Sequence, residues 1–333
     1  MPTTSSPSLL AGRYELQGPL GTGATGTTRR GRRVADGLAV AVKERRVLGL
    51  TSFREAERLQ REAELLGRLE HPGVPRLVEH FLLEDGPGSA WYVVTELVAG
   101  RTLADELAGR APDWREVLRD VAGILDVLAY LHGRSPAVVH GDLTPDNLVR
   151  RDDGTIVLLD FHAAQTFPAA RAPGLTTAVG TPGYMAPEQL TGYAEPATDV
   201  YAAGCVALAL LTRRPLHTLV DEHHRLAWRD AVAVPAAVRR FLGRLLHPSP
   251  ARRGSAGALA AEARALAGGR ARPVRRWAAA GGASVLLAVA AALWARTPAS
   301  RAAPPPEPPA PSAPLMSAAP PPATAVRYPD VPG

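Results

Sequence analysis

The spacing of apolar side chains predicts a mixed helical and stranded domain over residues 13–267. In the stretch "SFREAERLQREAELLGRLEHP" the residues Leu59, Leu66 and Leu69 share one helical face, and Glu62 falls in the same stripe. The stretch "DWREVLRDVAGILDVLAYLHG" has apolar residues at spacings of three and four, which predicts a buried helix. Shorter apolar runs, "LAVAVK", "AWYVVTELVAG" and "TIVLLD", are typical of strands. Together these elements predict an α+β fold.

A different pattern follows the domain. Residues 277–295, "WAAAGGASVLLAVAAALWA", carry no charged side chain and have Trp277 and Trp294 near their two ends. A helix of this length rises about 1.5 Å per residue and spans the roughly 30 Å hydrocarbon core of a bilayer, where tryptophan favours the interfaces. We therefore expect one transmembrane helix here, with an Ala-rich helix of a soluble domain as the alternative.

The flanking segments set the expected orientation. Residues 268–276 are basic, whereas residues 296–333 are Pro-rich and expected to be disordered. Because the larger basic cluster stays in the cytoplasm, we expect the domain inside the cell and the short Pro-rich tail outside. Residues 1–12, small and polar, are expected to be a disordered N-terminus.

Composition narrows the function classes. The chain has 333 residues, 46% of them hydrophobic, and a formal net charge of +6. Part of the positive charge is concentrated near residues 264–276, so we expect no nucleic-acid partner. The single cysteine, Cys205, excludes a disulfide framework and a cysteine-based zinc site, and its apolar surroundings indicate a core residue.

Lys43 is the only lysine among 38 basic side chains of Lys and Arg. Upstream of it, Gly21, Gly23 and Gly26 form a G-x-G-x-x-G pattern, which commonly marks a dinucleotide-binding turn that opens a helix. Here the glycines are followed by "TTRRGRRV", "ADG" and "LAVAVK", which read as strand, turn and strand. The pattern therefore indicates a glycine-rich flap over nucleotide phosphates.

These residues resemble the eukaryotic-like Ser/Thr protein kinases of bacteria, which combine a glycine-rich loop, a strand lysine, H-R-D-x-x-x-x-N, D-F-G and A-P-E motifs. The corresponding stretches here are "VVHGDLTPDNLV", "LLDFHAA" and "GTPGYMAPEQ", and the resemblance covers residues 13 to about 265. It implies a bilobal protein-kinase fold, with a small β-rich N-lobe containing one helix (13–95) and a larger helical C-lobe (99–267). It also implies Ser/Thr phosphorylation of protein substrates with ATP and Mg²⁺, in signalling at the membrane.

The resemblance assigns roles to individual residues. Asp142 would orient the acceptor hydroxyl, Asn147 and Asp160 would bind magnesium, and Lys43 would contact the α- and β-phosphates and pair with Glu62. A compact ammonium fits between phosphates and a carboxylate, whereas a wide guanidinium does not. The remaining nucleotide contacts would be Leu20, Gly21, Gly23, Gly26, Thr28, Glu96 and Val98. Arg253 would pair with Glu188, and Asp199 would hold the catalytic loop.

Four positions differ from the family motifs. Gly141 replaces the arginine of H-R-D, Thr144 the lysine two residues after the catalytic aspartate, His162 the glycine of D-F-G, and Thr28 the valine above adenine. Two alternatives therefore stay open beside an active protein kinase. One is a pseudokinase, an ATP-binding scaffold without turnover, and the other is a small-molecule phosphotransferase, since "HGDL" also occurs in aminoglycoside phosphotransferases.

Overall fold

The structure, a computed structural model, describes residues 9–23, 26–47, 52–85, 88–167, 180–220 and 226–268. The chain divides into two compact units, Met1–Val274 and Arg275–Gly333, and the second lies outside the described residues. The predicted transmembrane segment 277–295 and the Pro-rich tail belong to that second unit. Among the described residues, no helix is both long enough and apolar enough to cross a bilayer.

The N-lobe is a six-stranded antiparallel sheet with the strand order β1-β2-β3-β4-β6-β5. Its strands are β1 (Leu9–Leu10), β2 (Tyr14–Gly23), β3 (Gly26–Arg33), β4 (Ala39–Val47), β5 (Leu77–Asp85) and β6 (Gly88–Glu96). Strand β1 lies within the segment 1–12, for which we expected disorder. This strand is ordered because Leu10 pairs with Tyr14 on the neighbouring strand β2 and packs against the apolar cluster on one face of the sheet.

Helix α1 (Ser52–Gly67) packs on the opposite side of the sheet. The predicted inward face is confirmed, since Leu59 and Leu66 are buried, as is Leu69 just beyond the helix end. Leu59 packs in a cluster with Trp91 and Val93 of the central strand β6. Glu62, in the same stripe, is 9% exposed, so a carboxylate enters this apolar layer.

The C-lobe is predominantly helical, as the resemblance implied, and its core surrounds helices α3 and α4. All the apolar positions that defined the predicted buried helix are buried in α3. The helices are α2 (Leu103–Ala108), α3 (Trp114–His132), α4 (Pro196–Thr212), α5 (Ala236–Leu245) and α6 (Ala256–Leu266).

Short strands of the C-lobe position the chemically interesting loops. They are β7 (Arg101–Thr102), β8 (Ala137–Val139), β9 (Leu148–Arg150), β10 (Ile156–Leu158) and β11 (Gln165–Phe167). Strands β10, β9 and β7 form one small sheet, and β11 pairs with β8 in another. Single 3-10 turns at Pro145–Asn147 and Phe161–Ala163 follow the loops that carry the predicted aspartates.

Candidate active site

The loop that carries Asp142 is held from below by a buried carboxylate on α4. Asp199 is 1% exposed and accepts hydrogen bonds of 2.9 Å from the backbone N–H groups of His140 and Gly141. Its Oδ2 atom also lies 2.9 Å from Nε2 of His132 on α3. The predicted support of this loop by Asp199 is therefore present in the structure.

Gly141 has a backbone conformation that a side chain would disfavour. Its φ is +81°, and a Cβ atom there would lie 2.9 Å from the carbonyl oxygen of Ala163. The Gly141 carbonyl in turn accepts a 2.9 Å hydrogen bond from Nε2 of Gln189. An arginine, the usual family residue, would be strained at this position in this chain.

Asp142 is buried and its two carboxylate oxygens have different partners. Oδ1 accepts hydrogen bonds from both the backbone N–H (2.8 Å) and the hydroxyl (2.7 Å) of Thr181. Among the described residues, Oδ2 has longer contacts, 3.4 Å to Nδ2 of Asn147 and 3.7 Å to Nε2 of His162. Thr181 was not singled out from the sequence, although it lies in "GTPGYMAPEQ" (180–189), the stretch that docks protein substrate in the kinases it resembles and that we call the docking segment.

Asn147 ends the 3-10 turn that follows Asp142. Its amide nitrogen donates a 3.0 Å hydrogen bond to the backbone carbonyl of Asp142. The amide oxygen, Oδ1, is therefore the atom that remains for a cation, as the predicted metal role requires.

Asp160 follows β10 in a left-handed conformation, with φ of +59°. Its Oδ1 accepts a very short hydrogen bond from Lys43 and lies 3.0 Å from Nδ1 of His162. Burial alone raises the pKa of this carboxyl, but the hydrogen bond from His162 and the charge of Lys43 outweigh burial and hold the pKa well below its usual range. The carboxylate is thus ionised at neutral pH, which suits a metal ligand.

A cation at this site would depend on the nucleotide as well as on the protein. Within the described part of the chain, no group of three or more His, Cys, Asp or Glu side chains could hold a metal ion. Asp160 and Asn147 offer two hard oxygen ligands, which fits Mg²⁺ held jointly by protein and phosphate oxygens.

His162, at the glycine position of D-F-G, does not bear the backbone cost that positive φ would impose. The positive φ falls on Asp160, while His162 continues a 3-10 turn. Its imidazole lies between the two carboxylates, 3.0 Å from Oδ1 of Asp160 and 3.7 Å from Oδ2 of Asp142. The substitution therefore adds a polar side chain to the centre of the site.

The predicted ion pair between Lys43 and Glu62 is not formed. Lys43 pairs with Asp160, and Oε2 of Glu62 lies 3.5 Å from Nη1 of Arg45 instead. The prediction did not consider Arg45, although it is two residues from Lys43 on β4 and therefore faces the same side of the sheet. Burial raises the pKa of Glu62, and the nearby charge of Lys43 opposes that rise more than Arg45 does.

The glycine-rich flap is formed by the ends of β2 and β3. Gly26 has φ of +118°, and a Cβ atom there would lie 2.1 Å from the carbonyl oxygen of Glu44, so only glycine fits. Gly21 pairs with Thr28 and Gly23 with Gly26 across the two strands, and Thr28 also pairs with Lys43 on β4. The predicted phosphate-facing glycines and lysine therefore lie on three consecutive strands of one sheet, β2, β3 and β4.

The remaining predicted nucleotide contacts lie at the edge of the same cleft. Leu20 is exposed on β2, Glu96 ends β6, and Val98 lies in the connection between β6 and β7. The Glu96 backbone N–H donates to the Arg76 carbonyl at 2.9 Å, which anchors the start of this connection. The adenine-contacting backbone that the resemblance implies is thus at the junction of the two lobes.

The docking segment is anchored by a buried ion pair. Arg253, with a fully buried side chain, contacts both carboxylate oxygens of Glu188 at 2.5 and 2.9 Å. The predicted partnership of these two residues is present. It fixes the 3-10 turn Pro187–Thr191 on the C-lobe, directly after the segment that contacts Asp142.

Comparison with known proteins agrees with this geometry. Residues 14–263 match the family model described as "Protein kinase domain". The chain is 36% identical over 219 residues to serine/threonine-protein kinase B of Synechocystis sp., covering 61% of this chain and 37% of that protein. It is 33% identical over 213 residues to serine/threonine-protein kinase pkn3 of Myxococcus xanthus, covering 61% and 38%.

A plant protein is similar over a longer stretch. The CBL-interacting protein kinase 4 of Oryza sativa subsp. japonica is 33% identical over 268 residues, which covers 76% of this chain and 57% of that kinase. The chain thus spans less than two thirds of the length of these relatives. Because the family model covers three quarters of the chain and matches the lobes and motifs described above, the chain belongs to the protein kinase family.

Proposed function

We propose that this protein transfers the γ-phosphoryl group of ATP to Ser and Thr hydroxyls of protein substrates. The observation that carries the proposal is a cluster in which Lys43 contacts Asp160 and Asn147 contacts Asp142. The imidazole of His162 lies between the two aspartates, and Thr181 joins Asp142 to the docking segment. A small-molecule phosphotransferase has no use for such a docking segment. The bacterial relatives named as serine/threonine-protein kinases support the same substrate class.

Each residue has a task that its surroundings allow. Thr181 occupies Oδ1 of Asp142, so Oδ2 is the oxygen better placed to orient the acceptor hydroxyl and take up its proton. Asp160 and Asn147 would hold Mg²⁺, which supplies charge neutralisation at the phosphates. Lys43 would contact the α- and β-phosphates from the strand beside the flap.

A pseudokinase is the second candidate, and one observation favours it. Both Lys43 and His162 contact the Asp160 carboxylate, the group that a catalytic metal would need. In that alternative the domain binds partners or ATP but moves no phosphate.

A transfer assay separates the two candidates. The purified chain would be incubated with radiolabelled ATP, Mg²⁺ and several protein acceptors, alongside Asp160→Ala and His162→Gly. We expect phosphate on Ser and Thr with wild type, none with Asp160→Ala, and a change of less than about tenfold with His162→Gly, since the histidine is not itself a required ligand. Silence from wild type with every acceptor would contradict the kinase proposal and favour the pseudokinase.

We further propose that the protein signals from the cell membrane, anchored once by residues 277–295, as in a membrane-bound bacterial eukaryotic-like kinase. The support is the uncharged apolar stretch, its terminal tryptophans and the basic segment before it. In this arrangement the kinase domain is cytoplasmic, where ATP is plentiful, and the Pro-rich tail is outside.

A further inference from the structure

We propose that Arg45 is a positioning residue, which takes Glu62 as its partner and thereby directs Lys43 to Asp160 before nucleotide binds. Lys43 and Arg45 are two residues apart on β4, so both side chains face helix α1 and the cleft. Two cations thus meet two carboxylates, one on α1 and one after β10. The structure pairs them as Arg45 with Glu62 and Lys43 with Asp160.

All four charged side chains are largely withdrawn from solvent. Their exposed fractions are 14% for Lys43, 20% for Asp160, 15% for Arg45 and 9% for Glu62. Leu59 and Ala63, on the same helix as Glu62, pack with Trp91 in an apolar cluster, and Trp91 is also the strand partner of Arg45. In such surroundings a carboxylate without a counter-ion is strongly disfavoured, so each carboxylate needs a cation.

The carboxylates of Asp160 and Glu62 differ in the contacts that they make besides their ion pairs. Asp160 also accepts hydrogen bonds from the backbone N–H of His162 at 3.3 Å and lies 3.0 Å from its Nδ1. Glu62 has no comparable second contact. Its buried Oε2 has no hydrogen-bond partner among the described residues, and its ion pair is with Arg45. Without Arg45, the one remaining ammonium would therefore be drawn from Asp160 to Glu62.

Lys43 projects from the same side of β4 as Arg45, the present partner of Glu62. Its charge already lowers the pKa of Glu62 more than the charge of Arg45 does, against the effect of burial. The groups that influence Glu62 are Lys43 and Arg45 from β4 and Asp160 and His162 from the C-lobe. The exchange requires the Lys43 side chain to move from Asp160 to Glu62 on the same side of β4.

The exchange has a consequence for nucleotide binding, which rests on the proposed use of ATP. While Lys43 covers Asp160, the metal-binding carboxylate and the phosphate-binding ammonium are occupied with each other. Removal of Arg45 would move Lys43 to Glu62 and leave the Asp160 carboxylate to a cation. Arg45 therefore lowers the affinity of the free protein for ATP with Mg²⁺.

The lone lysine makes the partner of Lys43 directly measurable. The full chain, solubilised in detergent and labelled with ¹³Cε-lysine, gives one lysine resonance, since the sequence contains one lysine. In the nucleotide-free wild-type background we expect Asp160→Asn to shift this resonance and Glu62→Gln to leave it nearly unchanged. In the Arg45→Met background we expect the reverse, and Arg45→Gln repeats the test if the methionine variant does not fold.

Matched controls come from the same strand. Arg46→Met removes an arginine that is 79% exposed and paired with Glu44, and it should not alter the response of the resonance. Arg45→Lys keeps the charge but adds a second lysine resonance, so it is tested by calorimetry, where it should retain the wild-type affinity for ATP with Mg²⁺. A lysine resonance that still responds to Asp160→Asn and not to Glu62→Gln after loss of Arg45 would overturn the proposal.

Affinity provides the second readout. By calorimetry with ATP and Mg²⁺, Arg45→Met should bind about fivefold more tightly than wild type, a coupling of ordinary size. The double variant Arg45→Met/Glu62→Gln should return to wild-type affinity, because the neutral glutamine no longer attracts the Lys43 ammonium away from Asp160. A merely structural role predicts weaker binding that the second change does not correct, and that result would contradict the inference.

The two proposals fail in different ways. If wild type binds ATP but transfers no phosphate, the kinase proposal fails, while the resonance and affinity patterns still test Arg45. If wild type transfers phosphate and Arg45→Met binds ATP no more tightly than Arg46→Met, the role of Arg45 is refuted and the kinase proposal stands.

Discussion

At the scale of single residues, the surroundings of Lys43 require a compact cation, and positive charge alone is not sufficient. Its ammonium contacts Asp160 and also acts electrostatically on Glu62, and the flap glycines lie on β2 and β3 of the same sheet. A small group with three donors can exchange partners in this space, whereas a planar guanidinium presents its donors in a fixed fork.

Lys43→Arg should therefore abolish most phosphotransfer while the domain stays folded. We expect kcat to fall at least about a hundredfold, because the fork cannot replace the ammonium between carboxylate and phosphates. Steady-state kinetics and thermal unfolding of the same preparation measure the two effects. Arg46→Lys, the exposed exchange on the same strand, is the control, and near-normal turnover of Lys43→Arg would show that shape is not what this position requires.

At the scale of secondary-structure elements, the catalytic loop and the docking segment are each held by one buried, charged side chain. Asp199 on α4 holds the loop, and Arg253 holds the turn at Pro187–Thr191. Arg253 also donates to the backbone carbonyls of Ala197 and Pro248 at 2.9 and 3.0 Å, so it ties α4 to the segment before α6.

Arg253→Met should destabilise the domain by about 3–5 kcal/mol, because it leaves the Glu188 carboxylate in a largely buried place without its cation. Denaturant unfolding of the nucleotide-free protein measures this free energy. Adding Glu188→Gln should recover part of the loss. A loss below about 1 kcal/mol, typical of exposed ion pairs, would mean that the pair is not an anchor.

A second buried carboxylate, Asp120 on α3, makes stability depend on pH. Burial raises its pKa to about 6, although Arg150 on β9 contacts it at 3.0 Å. The native state then binds the proton more tightly than the unfolded state, so stability falls as pH rises from about 4 to 6, by at most about 3 kcal/mol from this group. Asp120→Asn should remove this component in unfolding experiments across that range, whereas Asp152→Asn, in an exposed turn, should keep it. An unchanged slope in Asp120→Asn would contradict the assignment.

The local sequence pattern predicted those elements in which side-chain periodicity alone decides which residues are buried. The stripe of α3, the inward face of α1 and the strand that ends before Asp160 were all readable, because helix and strand periodicity fix which side chains point inward. The inward direction of Glu62 was predicted as well, but its predicted partner, Lys43, was wrong, since Glu62 pairs with Arg45. Partner choice depended on Arg45, His162 and the distances between two lobes, and none of these follows from spacing along one element.

At the scale of the whole molecule, the described domain carries the glycine-rich flap, Lys43 and the end of β6 in the N-lobe. Asp142 and Asp160 belong to the C-lobe. Lys43 and Asp160 join the lobes directly across the cleft.

The proposed anchor gives a prediction about orientation. The basic residues before position 277 should each add about 1 kcal/mol of attraction to an anionic cytoplasmic leaflet, which reinforces a domain-inside arrangement. A protease added outside intact cells should therefore remove only a tag placed after residue 333. An antibody to the kinase domain serves as the control, and digestion of that domain from outside would reverse the assigned topology.

In the mechanism proposed above, the contact between Lys43 and Asp160 also determines how the affinity for nucleotide can be regulated. If ATP and Mg²⁺ bind only when Lys43 has left Asp160, the observed dissociation constant is the intrinsic one divided by the fraction of molecules in which this contact is open. If opening costs about 1.4 kcal/mol, roughly one molecule in ten is competent, and the observed affinity is about tenfold weaker than the site permits. A partner that binds α1 and favours the open contact would raise the affinity for ATP without touching the nucleotide.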